Sequence, residues 1–298
     1  LKMAAKVFEC ASEAIMVADA AFSVVMVNQA FSSITGYESD EVMNKDARTL
    51  LTLYPDFEAM GKLGRLGGER FLERHEAMHR RKGGGTYPAW ENISVVTHAD
   101  GRIAYYIFIF SDVTQIKEAE ARTTYLAHHD GLTNLPNRLM FNVRLEQCLQ
   151  LAKRNDTMLA LLFLDLDRFK YINDTMGHAS GDRLLQEVAK RISGCVREQD
   201  TVARFGGDEF TVLLNMIHHE QEAANIAEKI LSAVSRPILL GEKDVTVSTS
   251  IGTSLFPRDG VTATDLIKAA DVAMYHAKER GRHKYEFHTR ELTARTEE

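Results

Sequence analysis

Two strand-length apolar stretches in the second half of the chain, 158–164 and 210–214, each meet acidic residues at one end, and that arrangement constrains the fold more than any other feature. The first delivers Asp165 and Asp167 at its C-terminal end, two residues apart and so on one face of an extended chain. The second is preceded by Gly206-Gly207-Asp208-Glu209, which follows residues 200–205 and reads as the turn of a β-hairpin. Two glycines let the backbone approach a ligand with no Cβ in the way, and Asp208 and Glu209 then stand over the bound group. A Gly-Gly turn followed by acids is commonplace at a polar hairpin tip; Asp165 gives this one its force. Asp165, Asp208 and Glu209, arriving from neighbouring strand ends, form a hard oxygen site suited to Mg²⁺ or Mn²⁺, of the kind used in phosphoryl or nucleotidyl transfer. Asp167 is equally open to a structural reading, buried at the strand end.

The remainder of the 298 residues leaves room for a second domain. In residues 1–114, two apolar runs, 14–19 and 24–28, lie a turn apart, followed by helical pieces at 31–37 and 40–51. Gly83-Gly84-Gly85 then separates two strands, and Asp100-Gly101 supplies the turn between strands at 90–98 and 103–112. Over residues 115–127 the period becomes helical, with Ile116, Ala119, Thr123 and Leu126 on one stripe and Lys117, Glu118, Glu120 and Arg122 off it. So narrow a seam suits a short two-chain coiled coil, or a helix packed on its own domain.

Charge and cysteine content exclude several classes. A formal net charge of −6 offers no basic footprint for nucleic acid. Cys10, Cys148 and Cys195 are far apart and lack a Cys-x-x-Cys spacing, so reduced, mostly buried thiols are expected. No apolar run approaches the roughly 18 residues of a membrane span, and no signal segment opens the chain; a soluble, cytoplasmic stretch with no membrane contact is the expectation. The chain opens on Leu1 and closes on what reads as a helix cut in mid-course, as a piece of a longer protein would.

Between the acids lie Phe169-Lys170-Tyr171-Ile172-Asn173-Asp174, then Gly177-His178 and Gly181-Asp182. Upstream stands Asp130-Gly131-Leu132-Thr133-Asn134-Leu135-Pro136-Asn137-Arg138. Downstream come Ser250-Ile251-Gly252 and Asp271-x-Ala273-Met274-Tyr275-x-Ala277-Lys278-x-x-Gly281-Arg282. From 128 to 289 this series is similar to the GGDEF diguanylate cyclases, with His283 where Asn is common. The N-terminal third, with Val27-Asn28-Gln29-Ala30-Phe31 and Thr35-Gly36-Tyr37, resembles a PAS sensor domain. The tail, 290–298, is similar to a junction leading into an EAL phosphodiesterase domain. Together these imply an α+β chain: a PAS fold with a five-stranded antiparallel sheet and short helices, a linker helix, and a nucleotidyl-cyclase-like domain with a mainly antiparallel sheet flanked by helices.

The resemblance also implies roles. Asp165, the Leu166 carbonyl and Asp208 would hold the metal, with Glu209 assisting and Asp208 the best candidate to accept a hydroxyl proton. Asn173 and Asp182 would read guanine; Lys170, Lys278 and Arg282 would hold phosphates; Phe169, Gly206 and Gly207 would line the substrate site. Two such domains, each with one GTP, would face each other in a homodimer and form cyclic di-GMP and pyrophosphate. Arg197 and Asp200 match the product-inhibition motif, and a surface ion pair is the alternative. The competing function is a regulatory module that binds GTP or cyclic di-GMP without turnover; an adenylate-type cyclase is disfavoured by Asn173 and Asp182. No ligand is legible for the PAS region, haem and flavin included. His75 and His79, four apart, would share one face of a helix as a metal or haem contact, but Arg74, Arg80, Arg81 and Lys82 around them favour a solvated face; Trp90 reads as an aromatic facing the PAS cleft or a partner, with burial the default.

Overall fold

The computed structural model describes residues 2–50, 70–241, 243–289 and 291–292. The chain divides into two compact units, Leu1–Arg122 and Thr123–Glu298.

In the first unit, helix α1 (Lys2–Cys10) precedes strands β1 (Ala14–Asp19) and β2 (Val24–Val27), then the short helices α2 (Gln29–Thr35), α3 (Ser39–Val42) and α4 (Ala47–Leu50). The Val27-to-Phe31 motif has a physical reason: Asn28 caps α2 by accepting the Phe31 N–H, while its amide donates to the Glu13 and Phe8 carbonyls. Gly36 ends the helix in the left-handed region, φ 77°. Strands β3 (Arg70–Arg80), β4 (Thr86–Thr97) and β5 (Ile103–Asp112) complete an antiparallel five-stranded sheet of order β2-β1-β5-β4-β3. On β4 buried residues alternate with half-buried ones, so Tyr87, Ala89, Glu91, Ile93 and Val95 face the core with Phe31, Phe108 and Phe110. Trp90 points to the other face and is half-buried.

His75 and His79 depart from expectation. They lie on β3, where residues four apart also share a face, and His79 is fully buried, edge-on to Phe110 and Tyr87. Pairing with β4, His75 opposite Glu91 and His79 opposite Tyr87, overrides the local basic composition. The C-terminal residue of the helical piece at 40–51 and most of the tail at 290–298 lie outside the described residues.

Helix α5 (Thr114–His128) carries the apolar seam. None of its residues is buried; Ile116 is 44% and Leu126 48% exposed.

The second unit runs α6 (Arg138–Asn155), β6 (Met158–Leu166), α7 (Phe169–Met176), α8 (His178–Ser193), β7 (Thr201–Gly206), β8 (Glu209–Ile217) and α9 (Glu220–Val234). A small hairpin of β9 (Ile238–Leu240) and β10 (Lys243–Val245) follows, then β11 (Thr249–Phe256), α10 (Ala263–Glu279) and β12 (Tyr285–Phe287). Its sheet has the order β12-β11-β6-β8-β7, antiparallel except where β11 meets β12. The apolar run of β6 lacks alternation because both its faces are covered. Leu162 and Leu164 pack with Leu184, Leu185 and Val188 of α8, while Leu159, Leu161 and Phe163 pack with Phe141 and Leu145 of α6 and Leu266 of α10. A strand so enclosed fixes the position of whatever follows it, which here is Asp165.

Candidate active site

Strand register sets the acids side by side. Asp165 of β6 pairs with Glu209 of β8 across the antiparallel ladder, and the Leu166 N–H donates to the Asp208 carbonyl at 3.3 Å. The intervening turn needs its glycines: Gly207 has φ 52° and Gly206 φ 157°, backbone that side chains rarely adopt. A long-range clamp holds this turn. Arg204 donates to the Gly207 carbonyl from Nε at 3.0 Å and Nη2 at 2.7 Å, and its Nη1 meets both oxygens of Asp130 at 2.9 and 3.1 Å. Asp130 also accepts from the Thr133 hydroxyl and N–H. Burial works to raise the Asp130 carboxyl, but the hydrogen bonds from Thr133 and Arg204 outweigh it and leave its pKa below the ordinary value. Asp130 and Thr133, prominent in the sequence but without an evident task there, thus support the diglycine turn through Arg204, which lies 74 residues from Asp130.

Asp165 and Asp167 have separate environments. Asp167 is buried just past the end of β6, where it accepts from the hydroxyls of Ser248 (2.6 Å) and Ser250 (2.7 Å) and from the His283 N–H (3.3 Å). These three donors are neutral, and the Arg282 guanidinium stands farther off, at 4.0 Å. Asp165 instead meets the Lys278 ammonium at 2.8 Å, with its side chain 13% exposed and that of Lys278 28%. Burial is the main influence on Asp165 and raises its pKa; Lys278 opposes the rise, and Asp208 and Asp167 add to it. Glu209 is raised likewise, by burial first and then by the charges of Asp165, Asp271 and Asp208. This crowd of carboxylates suits a cation. Asp271 is the acid that the strand-end argument missed: it sits on α10, two helical turns before Lys278 and on the same face.

Among the described residues, no three His, Cys, Asp or Glu side chains gather closely enough to hold a metal ion unaided. Arg282 lies near Asp167 (Nε to Oδ1, 4.0 Å) and lines a cavity of about 570 Å³ with Arg168, Tyr171 and His283. Phe169 is buried at the start of α7, and Lys170 beside it is exposed. Asn173 and Asp182 come from the facing helices α7 and α8. Gly181 makes that approach possible, since a Cβ there would fall 1.9 Å from Asn173 Oδ1.

Arg197 and Asp200 lie in the loop before β7. The Asp200 carboxylate accepts the N–H groups of Arg197 (3.0 Å) and Asn215 (3.1 Å), while the exposed Arg197 guanidinium lies 3.6 Å from Glu222. Both residues line a cavity of about 130 Å³.

Comparison with known proteins agrees with this architecture. The sequence model of the family described as diguanylate cyclase, GGDEF domain, matches residues 127–284, and that of the PAS domain matches 12–115. The bifunctional diguanylate cyclase/cyclic di-GMP phosphodiesterase MucR of Pseudomonas aeruginosa is 46% identical over 185 residues, 62% of this chain and 27% of MucR. The chain thus spans about a quarter of that relative. A structure of the GGDEF domain of TpbB from P. aeruginosa, 43% identical, superposes with a TM-score of 0.56 over 57% of this chain and 100% of that one. The coiled coil and GGDEF domain of DgcB from Caulobacter crescentus, solved in complex with c-di-GMP, is 29% identical, with a TM-score of 0.53 over 59% of this chain and 93% of that one. With its acids at paired strand ends and more than half its length matched, the chain belongs to the diguanylate cyclase GGDEF domain family, with a PAS domain preceding.

Proposed function

We propose that this chain is a diguanylate cyclase half-site, joining two GTP molecules into cyclic di-GMP with release of two pyrophosphates when two GGDEF domains face each other. The observation that carries this reading is the register of β6 and β8, which puts Asp165 beside Glu209 and ties Leu166 to Asp208. Three acids at the paired strand ends, Asp165, Asp208 and Glu209, face Asp271 and Lys278 of α10, while the structural task of the strand end falls to Asp167.

The donor set fits Mg²⁺ or Mn²⁺: its side-chain oxygens are carboxylates, and burial and like charge make two of them seek a cation. Mg²⁺ takes one or two carboxylates and completes its shell with water and phosphate, so no closed protein cage is needed. Asp165, the Leu166 carbonyl and Asp208 would hold it, with Glu209 assisting; when bound it supplies charge neutralisation at the reacting phosphate. The chain's own groups do the rest. Asn173 and Asp182 present donor and acceptor edges to guanine, with Phe169, Gly206 and Gly207 lining the site. Lys170, Lys278 and Arg282 bind phosphate oxygens, and Asp208 accepts the proton of the 3′-hydroxyl. That hydroxyl attacks the α-phosphate of the GTP opposite, and pyrophosphate leaves. A two-fold pair gives both attacks one geometry and replaces a bimolecular encounter with a preset one.

The exposed seam of α5 is suited to joining two copies, and a PAS unit that alters this pairing would gate the reaction. Arg197, exposed beside the cavity that it shares with Asp200, would bind product; the two hydrogen bonds at Asp200 leave lone pairs for a guanine edge. The complex of DgcB with c-di-GMP supports a product site in a domain of this kind. The test is Asp208→Asn in the 298-residue chain. GTP binding should persist while turnover falls by about 10²-fold or more. Undiminished turnover would remove Asp208 from the chemistry.

A further inference from the structure

Lys278 has a double allegiance. It ends the last turn of α10, packed against β6 and β11, and its ammonium is 2.8 Å from Asp165 Oδ2 in a largely enclosed pair. Asp271 lies two helical turns earlier on the same face of α10, so the ammonium stands among the acids rather than beside one alone. In the reading above, however, Asp165 must serve a divalent cation and Lys278 must serve phosphate. An ammonium and a divalent cation on one carboxylate repel each other, so the pair seen here competes with a cation for Asp165. The lysine stem is flexible enough for its head to leave one anion for another.

We propose that Lys278 is an exchangeable counter-ion, holding Asp165 in the nucleotide-free chain and passing to the nucleotide's phosphates as a divalent cation takes its place. The inference rests on the cyclase reading of this site. A metal arriving alone must break the ion pair and leave the ammonium without an anion. A nucleotide arriving alone must draw the ammonium away and leave Asp165 uncompensated among like charges. Arriving together, each supplies what the other displaces, and linkage requires the effect to be reciprocal.

The experiment measures Mn²⁺ binding to the full chain by electron paramagnetic resonance, with and without 3′-deoxy-GTP, which lacks the attacking hydroxyl. Lys278→Met should bind Mn²⁺ without nucleotide about tenfold more tightly than the unaltered chain, and the gain on adding 3′-deoxy-GTP should shrink by a similar factor. Lys278→Arg, which keeps a cation at Asp165, should retain the weak nucleotide-free binding. Lys278→Gln repeats the test with a polar side chain if the methionine variant does not fold. Should the uncharged variants bind Mn²⁺ without nucleotide no better than the unaltered chain, yet bind it with 3′-deoxy-GTP, the exchange is overturned and the cyclase site stands. If Mn²⁺ fails to bind even with 3′-deoxy-GTP in the unaltered chain, the site reading fails and the exchange with it.

Discussion

Asp167 in the GGDEF domain and Glu91 in the PAS domain are both buried carboxylates, 6% and 2% exposed, yet their surroundings differ in kind. Asp167 accepts from two serine hydroxyls and a backbone N–H within 3.3 Å, all neutral donors in place whatever the pH. Glu91 lies between two imidazoles, His75 Nε2 at 3.6 Å and His79 Nε2 at 3.5 Å, too far for good hydrogen bonds. Both ring nitrogens of His79 and the hydroxyl of Tyr87 are buried on the same sheet face with no hydrogen-bond partner among the described residues. The contrast teaches where each domain keeps its freedom. The GGDEF domain fixes its buried scaffold charge and leaves the proposed cation exchange to the rim at Asp165, while the PAS domain keeps buried polar groups in its core without a partner among the described residues.

Replacing Asp167 gives the largest expected effect. Asp167→Ala orphans three donors and should cost the GGDEF domain about 3 kcal/mol in chemical denaturation; a cost below about 1 kcal/mol would break the comparison. Asp130→Asn should cost less, about 1–2 kcal/mol, by weakening the clamp on Arg204. Its pH dependence has a definite sign. A carboxyl with a depressed folded-state pKa stabilises fully above its unfolded value, near 4, and loses that contribution as the pH falls through the folded value. Below about pH 4 the unaltered chain should therefore lose more stability than Asp130→Asn, and parallel pH profiles would remove Asp130 from the account. Glu91→Gln sharpens the contrast from the other side. With no strong hydrogen bond to lose, it should change stability by no more than about 1 kcal/mol in denaturation at neutral pH. A loss matching that of Asp167→Ala would show that Glu91 is scaffold too.

Much of the site was legible because its signals are local. A seven-residue apolar run ending in Asp165, and a diglycine turn ahead of Asp208 and Glu209, need only strand length and turn chemistry to be read. The partners of those residues were not legible. Ser248 and Ser250 reach Asp167 across 81 and 83 residues, and Arg204 reaches Asp130 across 74, through strand register and domain packing that no local pattern encodes. His79 departed from its solvated reading for a different reason: a spacing of four shares a face on a helix and on a strand alike, and neither the spacing nor the basic neighbours show that this face meets the core. The narrow stripe of α5 was visible, and its exposure in a single chain leaves the seam open to a second copy.

The central claim is that Gly206 to Phe210 forms half of a two-substrate site, and product formation from GTP and Mg²⁺ across a range of chain concentrations tests it most directly. Cyclic di-GMP should form with two pyrophosphates for each product, at a specific activity that rises with chain concentration as half-sites pair. GTP bound without pyrophosphate release, or a specific activity independent of chain concentration down to the lowest measurable level, would contradict it.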